Sequence, residues 1–370
     1  GWRMTTSLKA IEAKVEAGER LTDEDGLLLY DAQAAPLLEV GRLANIVRER
    51  LWGDDTFFNQ NQHINYTNVC NRLCAFCAFQ RLPGGSDIES MSPGDVADRV
   101  RGCLGQEVTE LHMVAGIEQA LPYDYYLDIL RAAKAVRPDV HIKGFTMVEI
   151  DQIHGLSGKS MEACLEELRE AGLDSCPGGG AEIFAERVHR AIFPLKIGAD
   201  RWLECARAVH NAGLRSNCTM LYGHVETAAE RIDHLERLRD LQDETRGFQT
   251  FVPLRFHPDN TVMDWIEMPT AADDLREIAV ARLMLDNIPH IKAYWIMLGQ
   301  GTAQAAQSFG ADDIDGTVVE EKIYHDAGAT TPQAVTRHDL ERMILEAGRV
   351  PVLRDTLYTR LERKPAGTPA

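Results

Sequence analysis

The stretch HINYTNVCNRLCAFC, residues 63–77, joins a strand pattern to a loop that holds three cysteines. Residues 63–69 are rich in apolar, aromatic and β-branched side chains, which is typical of a short strand. Cys70, Cys74 and Cys77 follow it at once, in a chain that has eight cysteines in total. The pattern therefore predicts three thiols on one loop at the carboxyl end of a strand.

Seven further strand patterns follow this one, and helical patterns separate them. They are ELHMVA (110–115), HIKGFTM (141–147), LDSCP (173–177), RSNCTML (215–221), FQTFVPLRF (248–256), HIKAYWIML (290–298) and DIDGTVV (313–319). One intervening helix has Ser92 as a predicted N-cap, with Pro93 in its first turn and Asp95 three residues on. Eight strand–helix units in about 250 residues predict an α/β fold of the (β/α)8, TIM-type barrel class. The alternative is a doubly wound open sheet.

The barrel pattern also predicts where the segments outside it lie. We expect an N-terminal helical extension over residues 1–60, the barrel over 61–325, and C-terminal helices with a disordered tail over 326–370. Because a barrel carries its chemistry at the carboxyl ends of its strands, the cysteine loop is expected to open onto the mouth.

Composition and charge restrict the class of protein. The 370 residues include 39 Lys and Arg against 57 Asp and Glu, a formal net charge of −18, which argues against a nucleic-acid partner. The N-terminal segment lacks the apolar core of a secretory signal, and no apolar run is long and uninterrupted enough to span a membrane. We therefore predict a cytoplasmic protein with no membrane or nucleic-acid partner.

The three-cysteine loop favours an iron–sulfur cluster over zinc. A structural zinc site takes four ligands, usually from two Cys or Cys/His pairs, and no second pair follows CxxxCxxC here. Three thiolates suit a 4Fe–4S cluster that keeps one iron open for a small molecule. A zinc loop or a fortuitous group of thiols remains the alternative. The other five cysteines are expected to be buried small hydrophobes, with Cys176 and Cys218 on predicted inward-facing strand ends.

The CxxxCxxC spacing with Phe76 before the last cysteine resembles the radical S-adenosylmethionine superfamily. The resemblance implies that S-adenosylmethionine chelates the open iron through its amino and carboxylate groups. One electron through the cluster would then give methionine and a 5′-deoxyadenosyl radical. It also implies that the turn at Gly116 hydrogen-bonds the methionyl ammonium, although an ordinary strand–helix turn is the alternative.

Three other strand ends supply candidate site residues. In CPGGGAEIF, backbone N–H groups around Gly179 are expected to hold a carboxylate or ribose oxygens at a helix N-terminus, unless the glycines only form a tight turn. TMLYGHVET is similar to the superfamily's adenine-supporting strand end. This similarity implies cofactor contacts there from three residues: Tyr222, Gly223 and Glu226.

Candidate proton carriers and anion-binding residues complete the predicted site. His224 and His257 are predicted to carry protons, because histidine titrates near neutrality. Lys143 and Arg255, with Lys292 as a further candidate, are predicted to bind substrate carboxylates. The alternatives are surface histidines and ordinary ion pairs to the many acidic residues.

Longer blocks of the sequence resemble the aminofutalosine synthase family of menaquinone biosynthesis. They include HIKGFTMVEI, PGGGAEIFAERV, HIKAYWIMLG and FGADDIDGTVVEEKIYHDAGA. The resemblance implies a transferase that adds the adenosyl radical to 3-[(1-carboxyvinyl)oxy]benzoate and so forms 6-amino-6-deoxyfutalosine, methionine and bicarbonate. S-adenosylmethionine is then a consumed co-substrate, and a flavodoxin- or ferredoxin-type protein supplies the electron. The alternatives are cyclic dehypoxanthine futalosine synthase and, more distantly, a zinc-stabilised barrel.

Overall fold

The computed structural model of the chain describes residues 5–319 and 321–364. The helices are α1 (Leu8–Ala17), α2 (Asp23–Tyr30), α3 (Leu37–Trp52), α4 (Pro93–Arg101), α5 (Tyr123–Val136), α6 (Met147–Ser157), α7 (Met161–Ala171), α8 (Glu186–Ile192), α9 (Ala199–Asn211), α10 (Ala228–Thr245), α11 (Ala271–Met284), α12 (Trp295–Leu298), α13 (Gln300–Ala306), α14 (Ile323–Asp326) and α15 (Arg337–Glu346). The strands are β1 (Asp55–Asn59), β2 (Asn61–Ile64), β3 (Glu110–Met113), β4 (His141–Gly144), β5 (Ser175–Cys176), β6 (Arg215–Tyr222), β7 (Phe248–Arg255), β8 (His290–Ile291), β9 (Asp313–Gly316), β10 (Val350–Arg354) and β11 (Arg360–Arg363).

A parallel sheet with the strand order β2-β3-β4-β5-β6-β7-β8 forms the wall of the barrel. The sheet continues to β9 through a parallel bridge between Lys292 and Asp313. The chain after β9 returns to the first strand, where the His63 N–H donates to the Val319 carbonyl at 3.1 Å. The predicted strands correspond in order to β2 through β9, so the α/β barrel prediction is confirmed.

The helices that separate these strands begin as their sequences predict. The Ser92 hydroxyl accepts from the Asp95 N–H at 3.1 Å, and the Asp95 carboxylate accepts from the Ser92 N–H at 2.8 Å. The same capping box begins α2, α6, α10, α11 and α15. Each box satisfies N–H groups that the first helical turn leaves without partners.

A second sheet with the order β11-β10-β1-β9 lies beside the barrel strands. It corrects two details of the sequence prediction. The expected N-terminal helices are followed by a strand, β1, before residue 60, and the expected C-terminal helices give way to β10 and β11 after α15. Residues 55–59 are buried along their whole length, so they show no alternation that would mark a strand. The predicted disordered tail lies largely outside the described residues.

The predicted strand HIKAYWIML is also shorter than its pattern suggests. Only His290 and Ile291 pair with β7, and Trp295–Leu298 turn into the short helix α12. Both segments are buried, and a fully buried apolar run fits a strand or a helix equally well. Among the described residues, no helix combines the length and apolarity that crossing a membrane requires.

Candidate functional site

A cavity of about 300 Å³ opens at the carboxyl ends of the barrel strands. The cysteine loop lines it together with residues of β7, of the segment that follows β8 (Lys292 and Tyr294) and of the segment 321–327. The position is the one that barrel enzymes use for chemistry, and the volume is within the range of small-molecule sites.

The cysteine loop is held in place by its own backbone and by the side chain of Gln80. The Cys70 N–H donates to the Arg81 carbonyl at 2.9 Å, and the Cys77 N–H donates to the Cys74 carbonyl at 3.2 Å. Gln80 Nε2 donates to the Cys74 carbonyl at 2.9 Å. All three cysteines and Phe76 line the cavity. The loop therefore presents three thiols to a single enclosed space, as predicted.

The chemistry of these donors fits an iron–sulfur cluster better than one metal ion. Burial raises the pKa of the Cys74 thiol to about 12 and that of Cys77 to about 11, so a bound cation is needed to hold either sulfur as the thiolate at neutral pH. Among residues 5–319 and 321–364, no three His, Cys, Asp or Glu side chains converge on one point as a mononuclear site requires. A cubane takes each thiolate at a different iron, so its ligands need no common point. No fourth cysteine of the described chain lines the cavity.

Gly116 packs directly against this loop. A Cβ on Gly116 would lie 2.9 Å from the Cβ of Cys70 and would overlap the Val69 carbonyl. The Gly116 N–H donates to the Thr67 carbonyl at 3.0 Å, so the turn after β3 is joined to the chain just before the cysteines. Gly116 is thus required for close approach of two loops, and its predicted cofactor contact stays a prediction.

We expect Gly116→Ala to reduce iron incorporation several-fold, because the added methyl group displaces Cys70. Overpacking of this kind typically costs about 1–3 kcal/mol. Iron and sulfide analysis of the reconstituted protein measures the effect. Gly155→Ala is the matched control, since a Cβ there meets nothing within 4 Å. Equal iron content in the two variants would contradict this role.

The glycines after β5 also line the cavity, but they do not begin a helix. The Gly179 carbonyl accepts from Trp202 Nε1 at 3.0 Å and from the Met147 N–H at 3.3 Å. The next helix, α8, begins only at Glu186. The expected helix N-terminus at these glycines is therefore wrong, while Gly179 and Gly180 remain at the cavity wall.

A buried ion pair beside the cysteine loop was missed by sequence reasoning. Lys196 Nζ lies 2.6 Å from Glu182 Oε1, with side chains only 8% and 11% exposed. The same Nζ lies 5.3 Å from the ring centres of Phe76 and of Phe193. Although burial lowers the pKa of Lys196, the carboxylate of Glu182 brings it above the usual value. The local mark of this ion pair is the φ of +51° at Glu182, which is uncommon for this residue type. This backbone angle is seen in the structure, and the sequence gives no sign of it.

The end of β6 presents different residues to the cavity from those predicted. Asn217, Thr219 and Leu221 line it, and successive side chains of a strand point to opposite faces. Tyr222 therefore lies on the outer side, where its hydroxyl donates to Asp274 at 2.6 Å. Cys218 also alternates away from the cavity, which corrects its predicted inward direction.

His224, Gly223 and Glu226 form a local turn outside the cavity. The Gly223 N–H donates to Glu226 at 2.6 Å, and Arg231 holds the same carboxylate at 2.7 Å. His224 Nε2 donates to the Leu221 carbonyl at 2.8 Å. Gly223 has φ +87°, and a Cβ there would overlap Pro269. The geometry gives these residues a structural role, and none of them lines the cavity.

The predicted cationic residues do line the cavity, but each has an acidic partner. Lys143 Nζ lies 3.0 Å from Glu110, and Lys292 Nζ lies 2.7 Å from Asp315. Burial lowers the pKa of Lys143. The predicted excess of positive charge is therefore largely compensated within the barrel.

His257 retains a polar atom for a ligand, whereas the guanidinium of Arg255 is directed to Asp274 and Pro269, on the side of the sheet where Tyr222 lies. The Arg255 Nη2 donates to the Pro269 carbonyl, while its Nε is buried without a hydrogen-bond partner and lies 3.5 Å from Asp274. His257 Nε2 donates to the Met297 carbonyl at 3.1 Å, and its Nδ1 has no partner. Burial lowers the pKa of His257, so this Nδ1 is an acceptor at neutral pH.

Two histidines on the cavity floor and two tyrosines on its side were also missed. His63 and His112 stack with ring centres 4.3 Å apart, and His63 Nε2 is buried without a partner. Burial lowers the pKa of both, so the pair is neutral. Tyr294 and Tyr324 meet edge to face at 5.9 Å. The strand patterns HINY and ELHM place His63 and His112 on two strands. Only the pairing of β2 with β3 brings the two rings together, and the sequence patterns do not show it.

Comparison with known proteins decides the family. Residues 64–238 match the family model "Radical SAM superfamily", and residues 245–366 match "CofH/MqnC C-terminal region". The chain is 47% identical to an aminodeoxyfutalosine synthase of Thermus thermophilus, over 94% of each chain. It belongs to the aminodeoxyfutalosine synthase family of radical S-adenosylmethionine enzymes. A family member from Streptomyces coelicolor is 44% identical, over 98% of this chain and 96% of its own.

Two more distant matches are a relative with a different printed activity and a solved structure that shares the fold. A cyclic dehypoxanthine futalosine synthase of Halalkalibacterium halodurans is 35% identical over 95% of this chain and 94% of its own. The crystal structure of methylornithine synthase superposes with a TM-score of 0.73 at 16% identity, covering 92% of this chain and 97% of that one, which shows the shared fold. The enzyme is thus a radical S-adenosylmethionine enzyme that uses a 4Fe–4S cluster and S-adenosylmethionine, and Cys70, Cys74 and Cys77 have the chemistry to hold that cluster.

Proposed function

We propose that this enzyme joins the adenosyl group of S-adenosylmethionine to 3-[(1-carboxyvinyl)oxy]benzoate, with 6-amino-6-deoxyfutalosine, methionine and bicarbonate as products. The observation that carries the proposal is that one cavity is lined both by the three cysteines and by aromatic and polar residues of β7, of the segment after β8 and of segment 321–327. Family membership at 47% identity supports the reaction type. The cysteine loop and its neighbours bind the cofactor, and the other lining residues bind a flat, carboxylated co-substrate.

The residues near the cysteines suit the amino-acid end of S-adenosylmethionine. Bound to the cluster, that molecule supplies a 5′-deoxyadenosyl radical once one electron arrives. Lys196 and Glu182 offer a cation and a carboxylate to its zwitterionic end, and Gly116 and Gly179 offer backbone. Phe76 closes this side of the cavity with an apolar ring. Together these residues orient the reacting carbon toward the other lining residues and exclude water.

The residues of β7, of the segment after β8 and of segment 321–327 orient the co-substrate. Arg255 is the proposed carboxylate-binding residue, because it belongs to the cavity lining and an arginine makes strong charge-assisted hydrogen bonds to a carboxylate. Lys143 lies deeper, on β4, and shares its charge with Glu110. His257 holds a neutral Nδ1 toward the cavity and can accept the proton that the overall reaction releases. Tyr294 and Tyr324 supply apolar faces for the aromatic ring.

Arg255→Ala tests the placement of the co-substrate. We expect kcat/KM for the enol-ether diacid to fall about 10–100-fold, since a charged hydrogen bond contributes roughly 1.5–3 kcal/mol. Binding of S-adenosylmethionine should be nearly unchanged, and steady-state kinetics with each substrate varied measures both. Arg276→Ala is the control, because Arg276 donates to the Leu29 and Ala35 carbonyls on the outside of the barrel. Equal losses for both substrates would contradict the role.

Product analysis separates this function from that of the 35% identical relative. Reconstituted enzyme is incubated with S-adenosylmethionine, a reductant and the enol-ether diacid, and the nucleosides are analysed by mass. An adenosine-containing adduct supports the proposal. In a parallel incubation with dehypoxanthine futalosine in place of the diacid, free 5′-deoxyadenosine together with a cyclised product would assign the other activity instead.

We further infer that the electron comes from a flavodoxin- or ferredoxin-type protein in the cytoplasm. A cluster that receives single electrons at low potential requires such a carrier. Reduction of the reconstituted enzyme by purified donors, followed by methionine release, tests this inference. Turnover with dithionite alone, and none with any such donor, would contradict it.

A further inference from the structure

The buried pair of Lys196 and Glu182 has a consequence for the cluster beyond substrate binding. Lys196 Nζ lies over Phe76, the residue before Cys77, at 5.3 Å from the ring centre. Lys196 lines the same cavity as Cys70, Cys74 and Cys77. A cation whose side chain is only 8% exposed therefore lies against the cysteine loop.

The segment that carries Lys196 is fastened to the cysteine loop. The Ala75 N–H donates to the Ile192 carbonyl at 2.8 Å, which joins α8 to the loop between two cysteines. His189 Nε2 donates to the Lys196 carbonyl at 2.8 Å and fixes the backbone at the lysine itself. Phe193 covers the second face of the ammonium group at 5.3 Å. These contacts hold the ammonium group of Lys196 against the cysteine loop.

We infer that Lys196 raises the reduction potential of the cluster and that Glu182 partly offsets this effect. Reduction adds one negative charge to the cluster and forms or breaks no bond; a low-potential one-electron donor provides the electron. A nearby cation stabilises the reduced state, and a nearby carboxylate destabilises it, most strongly where water is excluded. Lys196 and Glu182 together thus adjust the reduction potential of the cluster.

The left-handed backbone at Glu182 supports a specific placement of its charge. A glutamate at φ +51° is strained relative to an ordinary conformation, and strain of this kind persists where the surrounding structure imposes it. The Leu221 N–H donates to the Glu182 carbonyl at 2.7 Å, so β6 holds the residue there. The carboxylate is thereby directed to Lys196 and into the cavity.

The test is an EPR-monitored redox titration of reconstituted enzyme without S-adenosylmethionine. For Lys196→Met we expect about a tenfold lower ratio of reduced to oxidised cluster at a given potential, which is 59 mV for one electron. For Glu182→Gln we expect a shift of opposite sign. Lys134→Met is the control, since Lys134 also pairs with a carboxylate, Asp174 at 2.7 Å, but does not line the cavity. Lys196→Arg should keep the wild-type potential.

Opposite shifts in the two variants support the inference, and unchanged potentials or shifts of the same sign overturn it. If Lys196→Met binds no iron, Glu182→Gln decides the question: a raised potential supports the inference, and an unchanged or lowered potential overturns it. The inference rests on the cluster and not on the co-substrate. A different nucleoside product would therefore overturn the proposed reaction and leave this result intact.

Discussion

Cys74→Ala is expected to abolish cleavage of S-adenosylmethionine while the protein remains folded. Cys74 is buried and is one of three candidate thiolate ligands, and without it the cluster would have only two protein ligands. Substitutions of residues that merely support a metal ligand cost about 10–100-fold, so loss of a ligand should exceed that range. Methionine release and the visible absorption of the reconstituted enzyme measure the result.

Cys103→Ala is the matched control for this experiment. Cys103 is equally buried, but its thiol points to the Val100 carbonyl at 3.1 Å and lies outside the cavity. We expect it to retain both cluster and cleavage. Cleavage by the Cys74 variant at the rate of the control would remove the cluster assignment.

Gly178→Ala is expected to have the largest effect on stability. Gly178 has φ +67°, and a Cβ there would overlap the Asn217 carbonyl of β6 and lie 3.2 Å from the Cys218 nitrogen. The left-handed backbone costs an alanine about 1–2 kcal/mol. Forcing β5 and β6 apart adds roughly 1–3 kcal/mol. Denaturant unfolding should show a loss near the sum of the two, together with reduced iron binding.

Gly158→Ala separates the two contributions. Gly158 has nearly the same backbone, φ +64°, but a Cβ there meets nothing within 4 Å. We expect this variant to lose only the backbone part, about 1–2 kcal/mol. Equal losses in the two variants would show that contact with β6 is unimportant.

The order of the barrel strands was predictable because each strand–helix unit is encoded locally. Start signals such as Ser92 with Asp95 lie within four residues, and the structure confirms them. The short strand β8 was extended wrongly into α12, and β1 was missed, because both lie in fully buried segments. Burial on every side removes the periodicity from which a strand or helix is recognised.

The candidate site was predictable only in part, and the limit is again physical. Every residue of β6 after Arg215 is buried, so the sequence does not reveal which alternate set faces the cavity. The sequence pattern assigned Tyr222 to the cofactor site, but its neighbour Leu221 lines the cavity instead. A shift of one residue exchanges the two faces of a strand.

The sequence by itself determined the candidate cluster ligands, because three thiols on one short loop need no distant partner to be brought together. It also determined the order of the barrel strands β2 to β9. Only the tertiary structure decided which charges are free to act on a ligand. Lys143 meets Glu110, and Lys196 meets Glu182 beside Phe76, through pairings of strands and loops that are distant in the sequence. The interaction energy of a charge buried among such partners depends on distance and on the exclusion of water. The order of the residues specifies neither of these.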